Sequence, residues 1–197
     1  MGAATIEHLR TKTKADKIIA LARSEEKAKP LRDKGVKVRV GDFDDTTSLD
    51  RAMQDIEKVL MISGTDLNNR LLQHKNVVDA AKRAGVKHIA YTGVSMKDVR
   101  TSAIITLMNS HFQTEDYISE SGLDYTFLRN TLYMDQIQLF IGEKVLETGI
   151  HLPAGNGAVP FALRSEMAEA AANVLLQDGH ANKAYAITSK SCIRSRR

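Results

Sequence analysis

Four times along this chain a glycine ends a polar, helix-patterned stretch and an apolar run begins at once: DKGVKV, RAGVKH, ESGLDY and ETGIHL, with Gly35, Gly85, Gly122 and Gly149 at the junctions. A residue without a Cβ closes a helix in the left-handed conformation at no steric cost, and the chain then turns back as a strand. Repeated exits of this kind specify successive βα units, which build a parallel sheet with helices on both faces. The strand candidates agree: IIALA (18–22), VKVRV (36–40), KVLMIS (58–63), HIAYTGV (88–94) and DYTFLRN (124–130). They are short, and several lack polar alternation, as strands covered on both faces do. In DLNNRLLQHKNVVDAAKRAG, Leu67, Leu71, Val78 and Ala81 form a stripe at helical spacing, with Asn69, Lys75 and Lys82 outside it. The pattern specifies an α/β fold, a doubly wound, Rossmann-like parallel sheet.

The opening MGAATIEHL already reads as a helix, with Ala3, Ala4, Ile6 and Leu9 on or near one face. A doubly wound sheet begins instead with a strand, whose turn into the first helix carries the glycine-rich dinucleotide loop. The expectation is a sheet lacking its first strand and that loop, with Gly2 as the loop's last glycine, the one that lets helix and sheet approach closely. The strand so lacking belongs between IIALA and KVLMIS. Four or five buried side chains at roughly 1.5–3 kcal/mol each rival a domain's net stability. Three charge-assisted hydrogen bonds from the loop, at about 1.5–3 kcal/mol each, amount to a thousandfold or more in affinity. A marginally folded chain with impaired nucleotide binding is the corresponding expectation.

The 197 residues include one cysteine, Cys192, which excludes an intrachain disulfide and a thiolate zinc site and fits a reducing cytoplasm. No apolar run approaches the ~20 residues of a membrane span. The net charge of +4 lies in dispersed lysines (Lys12, Lys14, Lys27, Lys29, Lys82) and in Arg194, Arg196 and Arg197, a solvated face plus a basic tail rather than a nucleic-acid surface. Residues 1–188 read as one nucleotide-binding unit running into the start of a substrate region, and 189–197 as that tail.

Candidate site residues fall at strand ends. Arg23 closes IIALAR, where an acid binds a free ribose 2′-hydroxyl and a cation accommodates a 2′-phosphate. It points to NADPH over NADH, or is a surface arginine at a strand end. In VGDFDDTTSL, Asp42 and the backbone around Phe43 could meet an adenine edge; the same stretch reads as a helix start capped by Thr46 or Thr47. Ser63, Gly64 and Thr65 suit close approach of a pyrophosphate or ribose, and equally a helix N-terminus. His111 and Glu115 at i, i+4 make at most half a metal site; without a further His or Cys cluster, no metal is expected, and His111 reads as a pocket-lining or helix-surface residue.

IIALARSEEKAKPL, VRVGDFDD, KVLMISGTD, NVVDAAKRAGVKHIAYTGVS, HFQTEDYISESGLDYTFLRNTLYMD and HLPAGNGAVPFALRSEMAEAAANVL together resemble the NmrA-like branch of the atypical short-chain dehydrogenase/reductases, in particular its NAD(P)H:quinone oxidoreductase group. The resemblance spans most of residues 2–188. It implies Arg23 on the NADP phosphate, and Ser63–Thr65 lining the cofactor cleft. LRNTLY (128–133) would close over the nicotinamide, with Arg129 and Asn130 at the cofactor and Tyr133 towards substrate. PAGNGAVPF (153–161) with Arg164 would wall the nucleotide from the substrate region. The implied reaction is hydride transfer from NADPH to a quinone-like acceptor, and a homo-oligomer is compatible with it.

The superfamily's catalytic tyrosine with lysine four residues on is absent: Tyr91, Tyr117, Tyr125 and Tyr133 are followed at that spacing by Ser95, Ser121, Arg129 and Ile137, and Asp116 stands where some relatives have lysine. Loss of a positioned proton donor slows chemistry by roughly a hundredfold or more. A quinone tolerates this because its ring becomes aromatic as hydride arrives, its proton coming from water or Tyr133. A non-catalytic NAD(P)-sensing module and an inactive fragment are the alternatives. YAITSK begins as a strand of the family pattern, which CIRSRR then leaves.

Overall fold

The computed structural model describes residues 1–96, 102, 104–142, 144–149, 158–190 and 192–194. Helix α1 (Gly2–Lys12) leads through a 3₁₀ turn into β1 (Ile19–Ala22), α2 (Glu25–Arg32), β2 (Lys37–Val40), α3 (Thr46–Ala52), β3 (Lys58–Ile62), α4 (Arg70–Arg83), β4 (His88–Val94), α5 (Ile105–Glu120) and β5 (Asp124–Asn130). A 3₁₀ turn, two single-turn helices α6 (Gln138–Ile141) and α7 (Val145–Thr148), β6 (Ala158–Val159), α8 (Arg164–Leu176), β7 (Lys183–Ile187) and β8 (Ile193–Arg194) complete it. The strands expected from the sequence are present, each within a residue of its expected bounds.

The parallel strands form an interrupted middle layer. β1 pairs with β2, and β3-β4-β5-β7 forms a second parallel sheet, with no ladder between β1 and β3 among the described residues. Helices bridge the interruption on both faces. On one, α8 packs Ala172 with Leu9, Ile18, Ala20 and Val36, and Ala171 and Val174 with Ala90 and Leu128; Leu175 touches both groups. On the other, Leu49 of α3 and Val77 and Val78 of α4 join Met61, Ile89, Tyr91 and Phe127 in the largest core, against which Phe43 packs. Arg39 of β2 donates to the carbonyls of Ala52 and Gln54, and Asn76 of α4 to that of Phe43, tying the first sheet to the same helices.

Both sheets end at one rim. Helix α1 has Gly2 against Ile62, at the end of β3, and Leu9 against Ile18 and Val36, at the beginnings of β1 and β2. The carboxyl ends of β1, β3 and β5 therefore face the same way, the side where sheets of this class take ligands.

Three of the glycine exits lead into strands as expected, Gly35, Gly85 and Gly122 having φ between 74° and 84°; Gly149, with φ 71° and ψ −174°, is extended in ψ rather than left-handed helical, and the run after it, 150–157, lies outside the described residues. At Gly85 the closure is complete, with Gly85 N–H donating to Lys82 O and Val86 N–H to Ala81 O. Some local readings are corrected. Leu67 precedes α4 and is exposed, and Ala3 faces solvent; the buried face of α4 carries Arg70, Gln73 and His74 beside Val77, Val78, Ala80 and Ala81. The cap of α3 is Asp45, accepting from Ser48 N–H, rather than Thr46 or Thr47, because its carboxylate reaches the first turn from an extended backbone. Ile193 and Arg194, expected within a tail, pair antiparallel with Val159 and Ala158; residues 191 and 195–197 of the expected tail lie outside the described residues. A Cβ at Gly85 would meet nothing within 4 Å, so Gly85→Ala tests backbone strain alone. It is expected to cost about 1–2 kcal/mol in a urea titration, with Gly85→Asn costing less.

Candidate functional site

The rim carries the residues singled out by the sequence, in unequal states. Arg23 follows β1 and is exposed, with no ion pair to a described residue, just ahead of Ser24, whose hydroxyl caps α2 by accepting from Lys27 N–H. Asp42 is half-buried; its backbone N–H donates to Ser48 Oγ, and its carboxylate accepts from Asp44 N–H. Phe43 lies against the core, with its carbonyl engaged by Asn76. After β3, Ser63 N–H donates to Thr92 Oγ1 and Gly64 N–H to His74 Nε2, both at 3.0 Å, and Gly64 O accepts from Arg70 Nε at 2.8 Å. These backbone groups are spent within the protein. A Cβ at Gly64 would press on Gln73 Oε1 at 3.3 Å, so this glycine accommodates α4. Thr65 is exposed.

Across the rim, α1 begins without a side-chain cap, and a Cβ at Gly2 would stand 3.3 Å from Ile62 Cδ1. Beside it Asn130, at the end of β5, is 3% exposed; its side-chain N–H approaches Met1 Sδ at 3.7 Å, and its Oδ1 has no partner among the described residues. A buried amide oxygen left unpaired costs about 1–3 kcal/mol. An uncapped helix start, with its unpaired amides and positive dipole end, favours an anion there. Tyr133 follows, held by a bridge to Ala162, with the Arg164 guanidinium 6.0 Å from its ring centre. Asp135 fixes Arg164 by accepting from its backbone N–H and its Nε. Of the expected wall PAGNGAVPF, residues 153–157 lie outside the described residues.

Under the rim lies a buried polar network that the sequence did not announce. Thr114 Oγ1 donates to Ser110 O, so it accepts from His74 Nδ1–H at 2.9 Å; that leaves Nε2 as the acceptor for Gly64 N–H, and the neutral tautomer is fixed from both sides. Burial, with the neighbouring His111 and Arg70, lowers the His74 pKa to about 3. Tyr91, fully buried, meets His111 Nδ1 at 2.8 Å. Burial and then Arg70 lower His111 to about 4, and burial pushes the Tyr91 hydroxyl well up. His111 is thus an interior residue, not one lining a pocket or covering a helix, because Tyr91 offers its imidazole a buried partner.

Glu115 is also buried, and it holds Arg129 in a fork: Arg129 Nε reaches both carboxylate oxygens at 3.1 Å and Nη2 reaches Oε2 at 2.6 Å. Hydrogen bonding to Glu115 raises the Arg129 pKa. The guanidinium expected at the cofactor is therefore engaged beneath the rim. Gly93 makes room for this pair, since a Cβ there would lie 2.8 Å from Glu115 Oε1. Arg70, buried, binds the rim to α5 through Gly64 O, Leu107 O and Ser110 Oγ. No group of three or more His, Cys, Asp or Glu side chains suited to a metal occurs among the described residues. Nor is any described helix long and apolar enough to cross a membrane.

Comparison with known proteins bears on this rim. The profile of a family described as NAD(P)H-binding matches residues 1–178. The chain belongs to the NAD(P)H-binding, NmrA-like family. It is 38% identical over 192 residues to quinone oxidoreductase 2 of Escherichia coli, covering 97% of this chain and 66% of that protein. It is 31% identical over 181 residues to an NmrA-like family domain-containing oxidoreductase of Aspergillus flavus, covering 90% of this chain and 59% of that one. The chain thus spans 66% and 59% of the length of these two relatives. Among solved structures, the E. coli quinone oxidoreductase complexed with NADPH superposes with a TM-score of 0.90 at 37% identity, covering 98% of this chain and 67% of that one. The Citrobacter triphenylmethane reductase complexed with NADP(H) gives 0.87 at 41% identity, covering 98% and 68%. Among the described residues, this rim holds a cation without an ion pair at Arg23, a helix start without a side-chain cap at Gly2 and a buried amide oxygen without a partner at Asn130.

The two histidines make a pH prediction. Each is near 6.5 when unfolded and lower when folded, so between those values the unfolded chain binds more protons and stability falls as pH falls. Lowering pH from 7 to 5 is expected to cost about 2 kcal/mol per histidine. Urea midpoints should show the loss, and His111→Phe should flatten the slope.

Proposed function

We propose that this chain is the nucleotide-binding part of an NADPH-dependent oxidoreductase that reduces flat, quinone-like acceptors. The observation that carries this reading is Arg23, an exposed cation with no ion pair to a described residue, at the strand end where the ribose 2′ position lies in this fold. In this reading Arg23 selects the phosphorylated dinucleotide over NADH. The first turn of α1 takes the pyrophosphate charge, and the Asn130 carboxamide oxygen accepts from a donor on the nicotinamide side. NADPH, when bound, supplies a hydride.

The chain's own residues orient and shield rather than exchange protons. Tyr91 and His111 satisfy each other in the interior, His74 is locked neutral between Gly64 and Thr114, and Glu115 is neutralised by Arg129. Tyr133 remains on the substrate side, its ring under Arg164. An acceptor that gains aromaticity on reduction needs little acid catalysis, which favours a quinone over a simple ketone. Because Ser63 and Gly64 have no amide to spare, phosphate affinity rests on Arg23 and α1, and impaired binding, with Kd above about 1 μM, is expected.

The test follows NADPH absorbance with a simple benzoquinone, alongside a fluorescence titration of NADPH and NADH. Arg23→Ala is expected to weaken NADPH binding by about tenfold to a hundredfold, the loss of a charge-assisted contact of about 1.5–3 kcal/mol, while leaving NADH unchanged. Equal loss for both dinucleotides would remove Arg23 from the phosphate. Binding without turnover would favour a non-catalytic NAD(P)-sensing module, consistent with the buried, mutually satisfied Tyr91–His111 pair.

A further inference from the structure

Arg129 reaches from the interior towards the rim. It is the second-last residue of β5 and pairs with Gly93 in the ladder to β4; the carbonyl of the next residue, Asn130, accepts from Ser95 N–H, which keeps the ends of the two strands level. The Glu115 side chain is 6% exposed, whereas that of Arg129 is 39% exposed, so the ion pair is closed at one end and open at the other. The fork spends Nε and Nη2 on the carboxylate and leaves Nη1 without a hydrogen bond to a described residue. A planar guanidinium gripped along one edge cannot turn, so its remaining N–H groups have a fixed direction. Gly93 leaves the room this needs, since a Cβ there would stand 2.8 Å from Glu115 Oε1. Hydrogen bonding to Glu115 raises the Arg129 pKa, which makes the group a permanent cation, a donor that gives up no proton.

We propose that Arg129 is a catalytic residue of the reductase: its outer N–H groups donate to a carbonyl oxygen of the acceptor and hold the negative charge that forms there, with Glu115 as the positioning residue behind it. The inference rests on the reductase reading and supplies the group for that charge. Reduction of a quinone takes up two electrons as a hydride, then a proton. A C–H bond of the dihydronicotinamide breaks, the hydrogen bonds to the acceptor, and the electron pair displaced from the acceptor settles on a carbonyl oxygen as an oxyanion. Water then protonates that oxygen. Donors already aimed at developing charge stabilise it without reorganising, which is where their catalytic value lies. Tyr91, His111 and His74 are engaged with one another, with Thr114 and with the Gly64 amide, so a fixed cation fits a site that exchanges no protons of its own. The acceptor class follows from charge. Neutral conjugated carbonyl compounds become anionic on taking hydride and are favoured; cationic acceptors become neutral and gain nothing from Arg129.

The experiment uses the whole chain and 4-nitrophenol, whose phenolate absorbs visible light and stands in for the reduced acceptor. The bound phenol is titrated with and without NADP. It is expected to ionise at a pH about one unit lower than when free, a tenfold preference for the phenolate. Arg129→Gln should abolish the preference, and Arg129→Lys, which keeps the charge but not the fork, should retain only part of it. Arg129→Gln alone strands a buried carboxylate, so the double variant Glu115→Gln/Arg129→Gln, checked by a cooperative thermal transition, is the control for folding. In the NADPH and benzoquinone assay the double variant is expected to lower kcat by about a hundredfold with the Kd for NADPH unchanged. Failure of the phenol to bind, ionisation at its ordinary pH, or a preference that survives in the double variant would overturn the proposal. So would a loss of kcat matched by an equal loss of NADPH affinity. Absence of NADPH binding or of turnover in the unaltered chain would end the reductase reading instead, while the titration without NADP still decides whether Arg129 holds an oxyanion.

Discussion

Helix α8 makes two separate parallel sheets into one middle layer. Its contacts come from alanines and short aliphatic side chains: Ala171, Ala172, Val174 and Leu175. Small side chains let the helix lie low across both sheets, and Leu175 reaches the cores on either side of the interruption. Lys58, at the start of β3, donates to Leu175 O and so occupies one of the carbonyls that the end of a helix leaves unpaired. Without this clamp, and α3 and α4 opposite, β1–α2–β2 would be a two-stranded unit, and such units have too little core to stand alone. Alignment of the two sets of strand ends, and hence the existence of one rim, depends on it.

Beneath that rim the protein invests its buried polar groups in position rather than reactivity. His74 receives Gly64 N–H and donates to Thr114, so the loop after β3 is fastened to both α4 and α5. Arg70 fastens the same loop by its carbonyl. A network satisfied at every member rigidifies what it touches, because each broken bond would leave a polar group stranded in a low dielectric. Asn130 Oδ1 is the exception, and it lies where an uncapped helix start and the end of β5 meet.

The same commitments narrow the chemistry. A tyrosine buried against a neutral histidine, and a glutamate held by an arginine fork, offer no proton to a substrate at the rim. Arg23 and Thr65 are exposed at the rim, Tyr133 is partly so, and Arg164 is fixed by Asp135.

The sequence by itself determined the architecture: strand and helix identities, the glycine exits at Gly35, Gly85 and Gly122, the parallel sheet and the family. These are local signals, since a positive φ demands glycine and a strand covered on both faces demands an unbroken apolar run. It also placed Arg23 and Asn130 at strand ends. What it could not reach was which polar groups were free. That Gly64 serves α4, that Arg129 is taken by Glu115 and that His111 lies inside depend on residues 10, 14 and 20 positions apart meeting across elements. Hydrogen-bond partners and desolvation are set by what packs alongside in space, and only the tertiary structure decided those.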